Sequence, residues 1–181
     1  MKKYRGIFLK NDQEIAALER SNRIVAEILD RICSMVRPGI TTMELEEQTV
    51  ALCVDYGVRP AFQGYHGFPY ALCCSVNEEI VHGFPSSRLL REGDLLSIDF
   101  GVVCDGFYGD SARTVAVGTI AEDAARLLEV TERSLYLGIA QAQPGNDLYD
   151  ISRAVQEYVE GQGYHVIRRF VGHGIGRMLH E

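Results

Sequence analysis

The feature that most restricts the fold of this chain is an internal repeat. Two segments share one design of Pro-Gly, helix-capping residue, helical pattern and closing glycine: RPGITTMELEEQTVALCVDYG at 37–57 and QPGNDLYDISRAVQEYVEGQG at 143–163. A His-Gly pair then follows each segment, at 66–67 and at 173–174. Self-similarity at one spacing indicates duplicated supersecondary structure. The sequence therefore predicts two halves of similar design.

The length of the chain limits how this repeat is arranged. A chain of 181 residues is long enough for one domain with a sizeable core. We predict a single domain over 1–181, with a first half at about 11–118 and a second half at about 119–181. In the first half a β-rich block reaches about Val117, and the matching block of the second copy would extend past residue 181. We therefore expect the second half to be incomplete in this sequence.

Capping residues and apolar spacing predict the helices. Asn11 or Asp12 has the residue type that begins a helix, and Thr41 and Glu44 have the spacing of a capping box. Pro-Gly pairs end the helices that precede them. The predicted helices cover about 12–37, 42–57, 122–142 and 147–161.

The strands are predicted from short β-rich runs between turn residues. Such runs occupy 71–117, and YHVIRRFV at 164–171 also has the composition of a strand. Together with the helices, they predict an α+β fold class built from duplicated α/β halves.

Charge and cysteine content restrict the partners and the compartment. A net charge of −7 argues against nucleic acid or an anionic membrane as the main partner. The sequence also lacks a run of about 18 apolar residues, which a membrane span requires. Five cysteines without CxxC spacing argue against a disulfide framework and favour a reducing cytoplasm. We expect a cytoplasmic protein without nucleic-acid or membrane recognition.

The segment LLSIDFGVVCDGFYGDSARTV, at 95–115, predicts a β-hairpin that carries two aspartates. If Cys104 and Asp105 form a two-residue loop, Asp99 lies directly opposite Asp110. If the loop is Asp105-Gly106, Asp110 is the diagonal neighbour of Asp99 on the same face. Either register leaves the two Cβ atoms roughly 5–8 Å apart. A three-residue loop would separate them to opposite faces unless a bulge restored the phase.

Two carboxylates on one face of a mostly apolar hairpin repel each other unless a positive charge lies between them. A divalent cation supplies that charge, and His173 adds an imidazole from the glycine-rich segment GHGIG. A carboxylate pair with an imidazole suits Mn, Fe, Co or Zn. We therefore predict that Asp99, Asp110 and His173 are metal ligands. The alternative is that both aspartates lie in solvent at a strand edge.

At the level of motifs, the chain resembles the type I methionine aminopeptidases. The resemblance rests on GYHGFPYALCCSVNEEIVHGFP at 64–85, SIDFGVVCDGFYGDSARTVAVG at 97–118 and GHGIGRMLHE at 172–181, and it covers nearly the whole chain. It implies the pita-bread fold, in which two pseudo-symmetric halves surround a centre of two divalent metal ions, such as Co, Mn, Fe or Zn.

The resemblance also implies roles for individual residues. Asp99, Asp110 and His173 match metal ligands of the family, with Asp110 bridging the two ions. His82 in VHGFP and His180 in LHE match histidines that contact the substrate and take part in catalysis.

The methionine pocket is implied in the same way. Tyr65, Phe68 and Cys73 match positions that line it, as an apolar slot for an unbranched thioether. Phe62 and Leu179 lie near such positions but differ from the family in residue type.

The implied activity is removal of the initiator methionine from nascent polypeptides, possibly at the ribosome, by a monomeric metalloprotease of protein maturation. A metal-activated water attacks the peptide carbonyl. The resemblance also implies two further glutamate ligands on later strands, beyond Glu181, so the 181-residue chain is expected to have impaired activity. The alternatives are a non-catalytic pita-bread peptide-binding protein and an Xaa-Pro-type metallopeptidase.

Overall fold

The computed structural model describes residues 2–4 and 6–181. Its internal contacts divide the chain into two compact units. The first unit comprises the residues up to Ile120 together with His173–Glu181, and the second is Ala121–Gly172. The predicted boundaries of the two halves stay a prediction. In the described part of the chain, no helix has both the length and the apolar character needed to cross a membrane.

The first unit begins with an antiparallel pair, β1 (Lys2–Tyr4) and β2 (Ile7–Leu9), followed by the long helix α1 (Asp12–Met35). Asn11 is the residue that caps α1. Its side-chain oxygen accepts from the backbone N–H of Glu14 at 3.0 Å, and the Glu14 carboxylate accepts from the backbone N–H of Asn11 at 3.1 Å. The helix forms where its capping residues predict it, because both orphan N–H groups are satisfied locally.

Helix α2 (Thr42–Asp55) also starts at a capping box, formed by Thr41 and Glu44. The helix carries Glu46, which is buried and accepts from the backbone N–H groups of Ala71 and Leu72 at 2.8 and 2.9 Å. Its carboxylate thus ties α2 to the start of the strand that follows.

Among the described residues, four antiparallel strands form the main sheet: β3 (Arg59–Pro60), β4 (Leu72–Val76), β5 (Leu95–Cys104) and β6 (Phe107–Ala116). Strand β5 is central, because it pairs with all three others. Cys104 pairs with Phe107, so the β5–β6 loop is Asp105-Gly106. Both loop residues have positive φ, 51° and 80°, as a type I′ hairpin turn requires.

The two faces of β5 have different surroundings. Leu96, Ile98, Phe100 and Val102 are fully buried in the core cluster that includes α1 residues. Asp99 points to the other face, since successive side chains of a strand alternate. The apolar core and the acidic side chain are therefore carried by the same strand.

Gly109, on β6, lies against the backbone of α1. A Cβ at this position would come within 2.7 Å of the carbonyl carbon and oxygen of Ser21. The Ser21 hydroxyl also donates to the carbonyl oxygen of Phe107 at 3.2 Å. The absence of a side chain at Gly109 lets the helix approach the sheet closely.

Replacing Gly109 with alanine is expected to lower the free energy of unfolding by about 1–3 kcal/mol, as overpacking of a filled interface does. Urea denaturation measures the change. Gly161→Ala is the matched control, because a Cβ there meets nothing within 4 Å and alanine is preferred to glycine in a helix. Equal stability of Gly109→Ala and the wild type would contradict the close approach.

The second unit contains a helix pair, α3 (Glu122–Gln141) and α4 (Leu148–Gly161). Gly138 of α3 packs against α4, since a Cβ there would lie 2.9 Å from Val155 Cγ2. Both helices occupy the predicted ranges.

The repeat is visible in the backbone of its two copies. Helices α2 and α4 have 14 residues each and begin with capping boxes. The equivalent glycines of the two copies all have positive φ: Gly39 and Gly57 in the first, Gly145 and Gly163 in the second.

The strand predicted at 164–171 is wrong. This segment is irregular, and most of its side chains are exposed, among them Ile167 and Phe170. A β-rich composition shows only that the residues favour extended backbone. A strand forms only where a neighbouring strand is available for hydrogen bonding. Within the described residues, no strand pairs with this segment.

Candidate functional site

A cavity of about 440 Å³ lies in the first unit, on the Asp99 face of the sheet. All eight residues singled out from the sequence line it, and so do several that were not. The lining residues are Phe62, Tyr65, His66, Gly67, Phe68, Cys73, His82, Phe84, Asp99, Asp110, His173, Leu179 and His180. The structure therefore brings the predicted site residues together, while their individual roles stay predictions.

The register of the hairpin places the two aspartates on one face. Asp99 pairs with Ala112 and Gly101 pairs with Asp110, so Asp110 is the diagonal neighbour of Asp99. Of the registers considered, this is the one with the Asp105-Gly106 loop. On the other side of β5, Cys73 of β4 pairs with Asp99.

Burial dominates the electrostatics of the carboxylate pair. It raises the pKa of Asp99 to about 7, the neighbouring Asp110 carboxylate adds to the rise, and His173 opposes it. Burial also raises the pKa of Asp110, against the lowering effect of His173 and His180. Two buried like charges are costly unless a positive charge compensates them. This arrangement favours a cation.

The segment GHGIGRMLHE supplies two imidazoles to the cavity. Nε2 of His173 lies 3.5 Å from Oδ2 of Asp110, and its Nδ1 lies 3.2 Å from the carbonyl oxygen of Gly174. A carbonyl oxygen can only accept, so this contact favours a hydrogen on Nδ1 and leaves Nε2 with a free lone pair. Metal-binding histidines commonly donate their other ring N–H to such a carbonyl.

His180 lies beside His173, with ring centroids 4.1 Å apart. Its Nδ1 is 2.8 Å from the hydroxyl of Tyr65, and the two rings are stacked. Burial lowers the pKa of His180, and the neighbouring His173 lowers it further. The environment therefore favours a neutral imidazole at this position.

The donor set suits the predicted metal chemistry in part. Asp99, Asp110 and His173 are the carboxylate and imidazole groups that Mn, Fe, Co and Zn accept, and the free Nε2 of His173 faces Asp110. Within residues 2–4 and 6–181, however, no three or more His, Cys, Asp and Glu side chains are already drawn together as a metal-binding cluster. The three residues fit as ligands by chemistry and placement.

The remaining walls of the cavity are largely apolar. Phe68 and Phe84 line the cavity, and together with Tyr70, which does not line it, they form a group of edge-to-face rings with centroids 5.2 to 6.2 Å apart. Burial raises the pKa of Cys73 to about 12, and Asp99 adds to the rise. The Cys73 thiol is therefore neutral at physiological pH and acts as an apolar wall.

Sequence reasoning missed two features of this wall. Phe84 was not predicted as a site residue, although an aromatic residue two positions after His82 indicates an apolar wall beside that histidine. The left-handed backbone of His66 and His82, with φ of 47° and 62°, leaves no trace in a single sequence. Such conformations of non-glycine residues concentrate at functional sites.

Gly83 explains how His82 is held. Its carbonyl oxygen accepts from the backbone N–H of Cys74 at 2.8 Å, and its own N–H donates to Ser75 Oγ at 3.0 Å. A Cβ at Gly83 would overlap the Cys74 carbonyl. The glycine therefore lets the His82 loop bond directly to β4.

Comparison with known proteins gives consistent matches. The sequence model of metallopeptidase family M24 matches residues 16–181. The chain is 47% identical over 175 residues to a methionine aminopeptidase from Clostridium perfringens, covering 97% of this chain and 70% of that protein.

Solved structures give the same picture for the fold. The structure of a methionine aminopeptidase from Rickettsia prowazekii is similar with a TM-score of 0.95 and 36% identity, covering 97% of this chain and 71% of that one. A prolidase from Pyrococcus furiosus is similar with a TM-score of 0.84 and 23% identity, over 95% of this chain and 50% of that one. At that identity, the prolidase likeness concerns the fold.

Proposed function

Because the chain belongs to metallopeptidase family M24 and has the pita-bread fold, we propose that it is a methionine aminopeptidase, a hydrolase that releases N-terminal methionine from polypeptides. One observation carries the proposal beyond family membership. The acidic pair, the three histidines and the apolar pocket residues, all singled out from the sequence, line a single cavity. A site for a charged reaction centre beside an apolar side-chain slot is what this activity requires.

In this proposal, Asp99, Asp110 and His173 would hold a centre of two divalent metal ions, such as Co, Mn, Fe or Zn. When bound, such ions supply Lewis acidity toward the carbonyl and an activated water. The chain's own contribution is to present two half-buried carboxylates and one imidazole, whose Nε2 lies 3.5 Å from Asp110 Oδ2.

His180 acts on the substrate amide. With the Tyr65 hydroxyl donating to Nδ1, the hydrogen of the neutral imidazole is on Nε2 and can donate to the carbonyl oxygen of the scissile bond. That hydrogen bond strengthens as negative charge develops on the oxygen. His82, whose loop is held to β4 by Gly83, also contacts the substrate amide.

The methionine side chain occupies the slot lined by Tyr65, Phe68 and Cys73. Aromatic rings and a neutral thiol favour an unbranched thioether, which makes good contacts with aromatic edges. Phe84 extends this wall through its ring contacts with Phe68.

The biological substrate in this proposal is the initiator methionine of nascent polypeptides, removed at the ribosome in the cytoplasm by a monomer. Its role is protein maturation, without recognition of nucleic-acid sequence and without membrane binding. The chain's acidity, with a net charge of −7, supports the last two points.

The alternatives have weaker support. Proteins named for Xaa-Pro cleavage match with identities below 25%, whereas relatives named methionine aminopeptidase match at 32–47%. A peptide binder without catalysis has no need for a buried acidic pair facing a histidine.

The test is a peptide panel with added Mn(II) or Co(II). We expect release of methionine from Met-Ala-Ser, and a kcat/KM at least about tenfold lower when alanine replaces the methionine. Faster cleavage of Ala-Pro peptides would support the Xaa-Pro alternative, and metal-dependent binding without cleavage would support the binder. The low activity expected for residues 1–181 stays a prediction, and the same assay tests it.

A further inference from the structure

The segment that carries His173 and His180 needs an external support. Residues 173–181 are named the histidine loop. The structure describes all nine residues, and they form neither helix nor strand. Regular hydrogen bonding therefore does not hold the two imidazoles at their separation. Their positions depend on the contacts at the ends and the middle of the loop.

Glu181 closes the histidine loop from within. Its backbone N–H donates to the carbonyl oxygen of Gly174 at 2.9 Å, and its side-chain Oε1 accepts from the backbone N–H of Arg177 at 2.7 Å. The first bond joins the residue after His173 to the residue after His180. Glu181 thus couples the two histidine positions through one residue.

Glycines make room for this arrangement. A Cβ at Gly176 would overlap the Glu181 carboxylate, and a Cβ at Gly174 would lie 3.3 Å from the Glu181 carbonyl oxygen. The loop is therefore folded closely around Glu181, whose carboxylate occupies the space that a side chain at position 176 would fill and whose backbone carbonyl lies close to Gly174.

Lys10 fixes Glu181 to the rest of the first unit. Its ammonium forms an ion pair with Oε2 of Glu181 and also donates to the carbonyl oxygen of Phe8 at 3.1 Å. The side chains of Lys10 and Glu181 are only 14% and 5% exposed. An ion pair this far removed from water depends on exact placement of both charges, because each loses its hydration.

The middle of the loop is anchored separately. The carbonyl oxygen of Gly176 accepts from the backbone N–H of Tyr108 at 2.8 Å, and the Arg177 guanidinium lies 4.3 Å from the centre of the Phe107 ring. These contacts join the loop to the start of β6. At the two ends, His180 also contacts the Tyr65 hydroxyl and His173 lies near Asp110, and Glu181 is the residue that joins one end to the other.

We propose that Lys10 and Glu181 are positioning residues of the active site, whose ion pair sets the placement of His173 and His180. Neither residue lines the cavity, so both act through the histidine loop. The functional meaning of this placement rests on the function proposed above, whereas the clamp itself is a property of the fold.

The test compares Lys10→Met and Lys10→Arg with the wild type, by hydrogen exchange of the metal-free protein and by calorimetric titration with Mn(II). Methionine keeps most of the apolar stem and removes the charge, and arginine restores the charge. We expect Lys10→Met to speed exchange of the 173–181 amides at least about tenfold and to weaken Mn(II) affinity about 10–100-fold, the range found for residues that orient metal ligands. Lys10→Arg should recover most of both losses.

Arg23→Met is the control, because it breaks an exposed ion pair with Glu19 on α1 and should change neither readout. Glu181→Gln keeps the size of the side chain and should reproduce the loosening seen in Lys10→Met. Unchanged exchange of the histidine loop in Lys10→Met, or equal loosening of every helix, would overturn the proposal. Loop loosening in a protein that binds no Mn(II) would uphold the clamp and count against the proposed function instead.

Discussion

Replacing Asp110 with asparagine is expected to weaken Mn(II) binding by more than about 100-fold, beyond the effect of losing a residue that only orients a ligand. Asparagine has nearly the shape of aspartate but lacks the charge. Asp110 lies on the same face as Asp99 and 3.5 Å from His173 Nε2, so the substitution removes one of the two carboxylates of the proposed ligand set. Isothermal titration calorimetry measures the affinity.

The metal-free protein gives a second readout for the same variant. Because the Asp110 carboxylate contributes to the raised pKa of Asp99, its neutralisation should lower the pKa of Asp99 and leave the metal-free protein at least as stable as the wild type. Asp105→Asn is the matched control, since Asp105 is an exposed aspartate in the same hairpin, paired with Arg20. Wild-type Mn(II) affinity in Asp110→Asn would refute its role as a ligand.

Replacing His180 with alanine is expected to lower kcat/KM on Met-Ala-Ser by about 10²–10³, the usual cost of losing one hydrogen-bond donor to a developing oxyanion. Partial desolvation and the neighbouring His173 lower the pKa of this imidazole, and the Tyr65 hydroxyl lies 2.8 Å from its Nδ1. Steady-state kinetics at saturating metal measure the loss.

Two further variants locate that effect. Tyr65→Phe removes the orienting hydroxyl while keeping the ring, and should cost less than His180→Ala. His165→Ala removes an exposed histidine outside the cavity and should leave kcat/KM unchanged. A His180→Ala variant as active as His165→Ala would show that His180 does not take part in the reaction.

Local sequence signals predicted the helices because their causes are local. The capping residues Asn11 and Thr41 and the Pro-Gly pairs act within a few residues, so a single sequence contains the whole signal. The strand predicted at 164–171 was wrong for the opposite reason, because strand formation depends on a partner strand elsewhere in the chain.

For the hairpin, the sequence predicted the two strands but not their register. The sequence allowed more than one register for Asp99 and Asp110, because loop length is not visible in the alternation of side chains. The positive φ of Asp105 and Gly106 decides between them. Aspartate followed by glycine is the preferred pair for this turn, so the observed register was also the chemically favoured one.

The candidate site was predicted mainly through motif resemblance. The hairpin and the imidazole of GHGIG indicated Asp99, Asp110 and His173, and the resemblance supplied the other five residues. All eight line one cavity, whereas the contact of Lys10 with Glu181 could not be predicted. Lys10 and Glu181 are separated by 171 positions, and nothing in their local sequence marks them as partners. Contacts of this kind follow from the tertiary fold.

The two-residue turn at Asp105-Gly106 also limits how this protein can evolve. One inserted residue would shift β6 by one position and rotate Asp110 from the cavity to the side occupied by Phe100 and the helices. Most surface loops tolerate insertions, but here length variation would destroy the site and bury a lone charge at the same time. Viable descendants should therefore keep this hairpin at constant length while their other loops diverge.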